Sequence, residues 1–341
     1  VKETISGVNT PLRIAINGFG RIGRSVLRLA LEQPLLEVVA VNDLAAPAVV
    51  AHQLQYDSTL GPFPEKVVLI GDSLRVKGHT VLLFNRQDPA TLPWRELDVD
   101  LVIEATGHFT ARERAAAHLQ AGARRVVISA PAADADFMVV LGVNQHLLDR
   151  SRHLVVSNAS CTTNCLAPMV KVLSDAFGLR QALFTTVHPY TNNQKLHDSP
   201  HQDLRRGRGA GRTMIPTTTT AVAALWQVMP KMQGRVDGMA VRVPTAAVAN
   251  IDLVAELSRP VTAAAVNDAF RQAAQGSLAG ILGVAEEELV SCDFRRSRYS
   301  AVLDAPLTQV VAGNLVRILG WYDNETGYAS RLVDLLTLLG R

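Results

Sequence analysis

A thiol, an imidazole and several guanidinium groups stand in the second half of this chain in contexts that suit covalent chemistry on an anionic substrate. Cys161 lies in SNASCTTNC, Ser157 to Cys165, and the apolar residues that follow, Leu166, Met169, Val170 and Leu173, have helical spacing. Cys161 is therefore expected at a helix N-terminus, where the dipole and free N–H groups favour a thiolate and lower the pKa from about 8.5. Cys165, one turn further on, lacks those N–H groups and reads as packing. The two thiols do not make a metal site, because no second Cys or His pair with ligand spacing accompanies them, and no metal is expected. An isolated cysteine is usually a small buried hydrophobe, so a nucleophile needs a partner. His188 ends the run LFTTVH, where a strand can project a side chain into a cleft. It could take the thiol proton and return it to a developing oxyanion. The other histidines, His197 and His201 among them, have no comparable context.

Candidate anion-binding residues share this half. Arg205, Arg206, Arg208 and Arg212 lie in one loop, and Arg242 stands inside the apolar run GMAVRVPT, where a buried guanidinium needs an anion. Thr217 to Thr220 precede the helical pattern Ala221 to Val228, so their hydroxyls and N–H groups can form an anion site. The arginines have no interleaved aromatic residues, which argues against nucleic acid as the primary partner.

In the first half, Gly18, Gly20 and Gly23 form G-x-G-x-x-G between a predicted strand and a predicted helix. That context suits a pyrophosphate held at a helix N-terminus. Asp43 follows 20 residues beyond the last glycine, at the end of a second strand. Its carboxylate can accept from both hydroxyls of an adenosine ribose and repels a 2′-phosphate.

These residues need elements to hold them. Strands are expected at Leu12 to Asn17, Glu37 to Asn42, Leu101 to Glu104, Arg125 to Ser129 and Met138 to Val143, with a helix through Ile22, Val26, Leu27 and Leu31. The first half is thus βαβ-type α/β. After Cys161 long β-branched runs, Ala182 to His188, Gly238 to Pro244 and Ala249 to Leu257, read as α+β. The amphipathic pattern Gly327 to Leu339 has no strand after it and is expected to pack back on the first domain.

Length and composition set the bounds. The 341 residues, 48% hydrophobic and 19% charged, suit two globular domains, and a net charge of +3 does not by itself call for a polyanion. No apolar run reaches the roughly 18 to 20 residues of a membrane helix. The polar start, Val1 to Thr10, lacks a secretory pattern, and three cysteines do not make a disulfide framework. Reduced thiols and a cytoplasmic location are expected.

The motifs NGFGRIGR, SNASCTTNC, TVHPYTNNQ, DLRRGR, MAVRVPT and WYDNETGY together resemble the phosphorylating glyceraldehyde-3-phosphate dehydrogenases, over about Leu12 to Leu339. The resemblance implies an α/β Rossmann dinucleotide-binding domain, residues 1–160 and 324–341, plus an α+β catalytic domain, residues 161–323. It implies NAD as cofactor, glyceraldehyde 3-phosphate and inorganic phosphate as substrates, a Cys161 thioester, and a homotetramer. By the same resemblance Phe19, Arg21, Ile22, Thr106 and Ser129 join Gly18, Gly20 and Asp43 at the dinucleotide, with Asn324 and Tyr328 by the nicotinamide. Thr191 and Arg242 would hold the substrate phosphate; Ser160, Thr162, Arg206, Thr219 and Thr220 surround the attacking phosphate. Thr220 stands where the family usually has Gly, and Asn193 where Asp is frequent. Leu44 and Pro200 are of the NAD type, so use of NADP is expected to be secondary. PWRELDVD and AAQGSLAGI are similar to the sister erythrose-4-phosphate dehydrogenase, which is the alternative reading; the YTNNQ loop and Asp43 favour the glyceraldehyde enzyme.

Overall fold

Six residues with an apolar buried end, Leu12–Asn17, form β1, and the chain turns at Gly18 because φ there is +93°, a conformation that favours glycine. The computed structural model describes residues 10–340, so the reading of Val1 to Thr10 falls, apart from Thr10, outside the described residues. β1 is followed by α1 (Arg21–Ala30), β2 (Leu36–Asn42), α2 (Pro47–Gln55), β3 (Val68–Ile70), β4 (Ser73–Val76) and β5 (His79–Phe84). Then come β6 (Leu101–Glu104), the short α3 (Arg112–Ala115) and α4 (Ala117–Gln120), β7 (Arg125–Ile128), β8 (Phe137–Met138) and β9 (Val155–Ser157). These nine strands make one sheet in the order β3-β4-β5-β2-β1-β6-β7-β9-β8. It is parallel except for the β3–β4–β5 meander. The strand order reverses beside β1, which leaves a crevice at the C-terminal ends of β1 and β6, where α/β sheets bind ligands.

The second sheet follows α5 (Cys161–Phe177). It contains β10 (Leu179–Pro189), β11 (Ile215–Thr217), β12 (Val236–Val243), β13 (Ala249–Leu257), β14 (Leu282–Ala285), β15 (Ala301–Asp304), β16 (Gln309–Val311) and β17 (Leu315–Tyr322). Its order is β11-β12-β10-β13-β17-β15-β14, with β16 on β17. Between these strands lie α6 (Ala221–Val228) and α7 (Ala263–Gln275), and α8 (Thr326–Leu339) closes the described chain. Alternation along β10 buries Ala182, Phe184, Thr186 and His188 against α5 and turns Leu183 outward, 67% exposed. α8 packs where its pattern required, with Leu332, Leu335, Leu336 and Leu339 in one cluster with Ile14, Ile16, Val26 and Leu27.

Two readings of local structure need correction. Met138 to Val143 is not one strand: pairing stops at Met138, and Asn144 folds the rest into a turn. Its Oδ1 accepts the Val140 N–H at 2.8 Å, and Gly142 takes φ +84°. The apolar residues there are buried without being in a sheet. The run from Arg125 loses its strand at Ile128, so Ser129 lies just past the strand end. The meander β3–β5 and helix α2 were not anticipated.

Candidate active site

The crevice at the end of β1 holds a cavity of about 510 Å³ lined by Asn17, Gly18, Gly20, Asp43, Leu44, Arg86 and Thr106, among others. The three glycines differ in purpose. A Cβ on Gly18 would lie 2.6 Å from the Thr106 backbone nitrogen, and one on Gly23 would collide with the Gly18 carbonyl. At Gly20 a Cβ would meet nothing within 4 Å, so the backbone there opens on free space. Gly20 caps α1 with no side-chain bond and no acidic residue follows in the first turn, which leaves N–H groups for an anion. Asp43 stands across the cleft. Its Oδ2 accepts the Phe19 N–H at 2.7 Å and its Oδ1 the Ala45 N–H at 2.9 Å, so both oxygens are aimed and retain lone pairs for ribose hydroxyls. An open backbone turn and an oriented carboxylate fit the adenosine and pyrophosphate of NAD.

The other residues that the resemblance placed at the dinucleotide are distributed unevenly. Phe19 is buried and Ile22 packs on the first core. The Arg21 guanidinium is taken by Asp57 at 2.8 Å and by both oxygens of Glu325, which raises its pKa, so only its backbone could face a pyrophosphate. Ser129 donates its N–H to the Glu104 backbone carbonyl at 2.9 Å. Asn324 Oδ1 accepts the N–H of Val248 at 3.0 Å, and Val248 has φ +70°, a strained value for a β-branched residue. The Tyr328 hydroxyl donates to the Ala159 carbonyl at 2.9 Å and so holds the left-handed Ala159, φ +53°, two residues before the thiol.

Cys161 begins α5, and Ser160 caps that helix by accepting the Thr163 N–H at 3.1 Å. The side chain packs against the cores of both sheets. His188 Nε2 is 3.6 Å from its sulfur. Directly opposite His188 in the parallel β10–β12 register stands Arg242, whose Nη1 reaches both His188 Nδ1 and, at 3.1 Å, the Pro189 carbonyl. Its Nε is buried with no partner. Burial lowers the pKa of Arg242, and the neighbouring Arg206 lowers it further, whereas Cys161 and Tyr322 raise it. A half-buried guanidinium with its Nε enclosed and no carboxylate beside it is a site for an incoming anion. The inner faces of β10, β12 and β17 thus bring His188, Arg242 and Tyr322 to the start of α5.

The electrostatics differ from the expectation of a thiol whose pKa is lowered at the helix N-terminus. Burial pushes the Cys161 thiol up; Arg242 opposes it. Burial and Arg242 push His188 down to about 3, so its ring is neutral at physiological pH. Helix-terminus reasoning omitted desolvation, which is a tertiary effect. Cys165 is fully buried beside Met169 and Gly320, as expected for packing.

The remaining anion candidates gather nearby with their groups partly engaged. Arg206 donates from Nε to Thr217 at 2.8 Å and from Nη2 to the Thr218 carbonyl at 3.0 Å. Thr162 is buried with Oγ1 2.9 Å from the Tyr322 hydroxyl, which also lies 2.9 Å from Thr186. Thr219 Oγ1 accepts the Ala221 N–H at 3.2 Å. Thr220 caps α6 at φ −77°, so its backbone does not require the glycine usual in the family. Thr191 is exposed and tied through N–H and hydroxyl to Gln194 Oε1. Asn193 contacts His201 at 3.1 Å. Sequence reasoning missed Tyr322, although it lies in WYDNETGY, and the buried group Glu104, His118 and Trp94 beneath the cleft. The one signal for the latter was a carboxylate ending an apolar strand.

A Rossmann-type α/β domain beside an α+β domain, with a cysteine and a histidine between them, defines an NAD-dependent oxidoreductase of the thiol type. Residues 12–112 match the NAD binding domain of glyceraldehyde 3-phosphate dehydrogenase and residues 160–324 its C-terminal domain. The chain is 52% identical over 324 residues to the glyceraldehyde-3-phosphate dehydrogenase of Geobacillus stearothermophilus, covering 95% of this chain and 97% of that one. It is 50% identical over 330 residues to glyceraldehyde-3-phosphate dehydrogenase 1 of Bacillus subtilis, covering 97% and 98%. The chain belongs to the glyceraldehyde-3-phosphate dehydrogenase family. These relatives carry the name of the glyceraldehyde enzyme, not of its erythrose sister.

Proposed function

We propose that the chain oxidises glyceraldehyde 3-phosphate, with NAD and inorganic phosphate, to 1,3-bisphosphoglycerate through a Cys161 thioester. The observation that carries this reading is the cluster of Cys161 3.6 Å from His188, with an anion-seeking Arg242 opposite. The substrate phosphate sits on Arg242 and Thr191 and sets the distance of the aldehyde from the sulfur, so remote binding energy positions the carbonyl. It also acts on His188. Nδ1 can donate to the Pro189 carbonyl, 2.8 Å away, or accept from Arg242, but not both. An anion that draws Arg242 away leaves Nδ1–H on Pro189 and a bare Nε2 facing the thiol, which is the state that accepts a proton.

As Sγ adds to the carbonyl, Nε2 takes the thiol proton and gives it to the oxyanion, forming a hemithioacetal. Gly18, Gly20, Asp43 and the backbone of Phe19, Arg21 and Ile22 would hold NAD, with Thr106 and Ser129 flanking it and Asn324 and Tyr328 by the nicotinamide, and the bound cofactor would supply the hydride acceptor. Nε2 takes the hydroxyl proton back as the thioester carbonyl forms. Inorganic phosphate near Ser160, Thr162, Arg206, Thr219 and Thr220 then attacks the thioester, releasing the acyl phosphate and the Cys161 sulfur.

Residues 1–160 with 324–341 form the NAD domain and 161–323 the catalytic one in this reading, supported by the packing of α8 on the first sheet. Self-association, in this reading as a homotetramer, fits the outer face of the second sheet, where Leu183 pairs with Val254 and Met239 is also exposed. A cytoplasmic location fits the free thiols of Cys161, Cys165 and Cys292. Among the described residues no helix is long and apolar enough to cross a membrane. Initial rates of NADH formation with glyceraldehyde 3-phosphate and erythrose 4-phosphate test the substrate. The three-carbon aldehyde is expected to have the higher kcat/KM; the reverse order would favour the erythrose enzyme.

A further inference from the structure

Beneath the dinucleotide cleft lies a hydrogen-bonded line of buried polar side chains that the reaction itself does not use. Glu104 closes β6 and is 2% exposed. Its Oε1 accepts the Thr106 backbone N–H at 2.8 Å and also the Thr106 hydroxyl; its Oε2 accepts the Asn17 amide at 2.6 Å and faces His118 Nε2 at 3.1 Å. His118 is fully buried, and its Nδ1 receives the Trp94 indole N–H at 3.0 Å. An indole nitrogen only donates, so Nδ1 is bare and the ring proton on Nε2 points at Glu104. From Asn17 the line runs on: its Oδ1 accepts Asn42 Nδ2 at 2.7 Å. The Asn42 amide then clasps the Arg86 backbone, carbonyl and N–H, at 2.9 Å each. The tips of β1, β2 and β6 and the segment after β5 are thereby joined. Asn17, Asn42, Arg86 and Thr106 all line the cavity.

We propose that Glu104, oriented by His118 and Trp94, is a positioning residue for the dinucleotide, because it commits the Thr106 hydroxyl to donate inward. The same oxygen accepts the His108 N–H at 3.0 Å, which leaves one lone pair for the cleft. Thr106 therefore presents an acceptor only. It pairs with a ligand donor, a ribose hydroxyl or a carboxamide N–H, and not with a phosphate oxygen, which has no proton to give. Every polar atom in the line is used once its neighbours are placed, and such a network holds a single geometry. The proposal rests on the reading of this cleft as the NAD site.

Glu104→Gln keeps the shape but turns one acceptor into a donor, which must face either the Thr106 N–H or His118 Nε2–H. NAD binding, measured by calorimetry on the full chain, is expected to weaken on the order of 10-fold, with a smaller change in kcat at saturating NAD. Combining Glu104→Gln with Asn17→Asp exchanges the amide and the carboxylate. His118 Nε2, 3.3 Å from the Asn17 nitrogen, then finds an acceptor there, so affinity is expected to recover. A folded Glu104→Gln with NAD affinity within about twofold of wild type would overturn the proposal, as would a loss confined to melting temperature. If Glu104→Gln fails to fold, Thr106→Val removes the hydroxyl itself, and with the cleft acceptor go its donation to Glu104 and its bond from the His108 N–H. A matching loss of affinity supports the proposal, and none overturns it. Asp43→Ala serves as reference: unchanged NAD affinity there would show that the cleft reading itself fails and takes the proposal with it. Lost affinity in Asp43→Ala beside normal affinity in Glu104→Gln would overturn only the role of the network.

Discussion

Arg242 sets the field at the sulfur, and in the proposed reaction the same position also holds the substrate phosphate. It opposes the burial that pushes the Cys161 thiol up, and it helps to hold His188 neutral. Arg242→Ala is therefore expected to raise the thiol pKa further and slow its alkylation at pH 7, while raising KM for the aldehyde at least 10-fold, a loss of about 1.4 kcal/mol. Unchanged alkylation across the pH range would remove Arg242 from the electrostatics of the thiol. Cys161→Ser is expected to abolish turnover and leave NAD binding intact, since a hydroxyl yields far less anion than a thiol; calorimetry checks the second half. At this scale the site was legible where a residue type is rare in its surroundings: a thiol at a helix start, an arginine in an apolar strand. The direction of the thiol shift was not, because desolvation comes from α5 and the strands β10, β12 and β17 meeting around it.

At the scale of elements, β1, its glycine turn and α1 form a device whose parts can be separated experimentally. Gly18→Ala would drive a Cβ into the Thr106 backbone at an already left-handed φ, so the fold itself suffers, on the order of 1–3 kcal/mol. Gly20→Ala meets open space and is expected to fold normally yet bind NAD more weakly, because the methyl fills the approach of the pyrophosphate. Equal NAD affinity in Gly20→Ala and wild type would argue against a close backbone approach there. The β1–α1–β2 unit was legible because glycine spacing, strand ends and helical period agree. Met138 to Val143 was not, since its apolar residues are buried in a turn closed by Asn144, and burial alone does not make a strand. The meander β3–β5 was not read either: all of β3 is exposed, whereas β4 and β5 bury alternate residues, Leu74, Val76, Val81 and Leu83, in stretches of only four and six residues.

For the whole molecule, buried groups set the pH range of stability. His188 titrates near 3 in the folded chain against 6.5 for a free imidazole. The unfolded chain thus binds the extra proton, and this stabilisation is complete above pH 6.5 and lost as pH falls toward 3. Asp57, held down to about 2 by Arg21 and backbone N–H groups despite its burial, adds stability that is present above pH 3.8 and lost as pH falls through 2. His188→Asn is expected to flatten the fall of the unfolding free energy, measured by urea titration, between pH 6.5 and 4, by at most about 1.4 kcal/mol per pH unit. An identical slope in both proteins would show that His188 is not buried neutral. Both sheets meet at Cys161, and in the proposed reaction this one thiol links oxidation on one side to phosphate transfer on the other. Rapid mixing of enzyme, NAD and glyceraldehyde 3-phosphate without phosphate tests it most directly, with NADH followed by absorbance. A burst of one NADH per active site that then stops is expected, with sustained turnover once phosphate is added. Steady turnover at the same rate without phosphate, or no burst from an enzyme with its thiol intact, would contradict it.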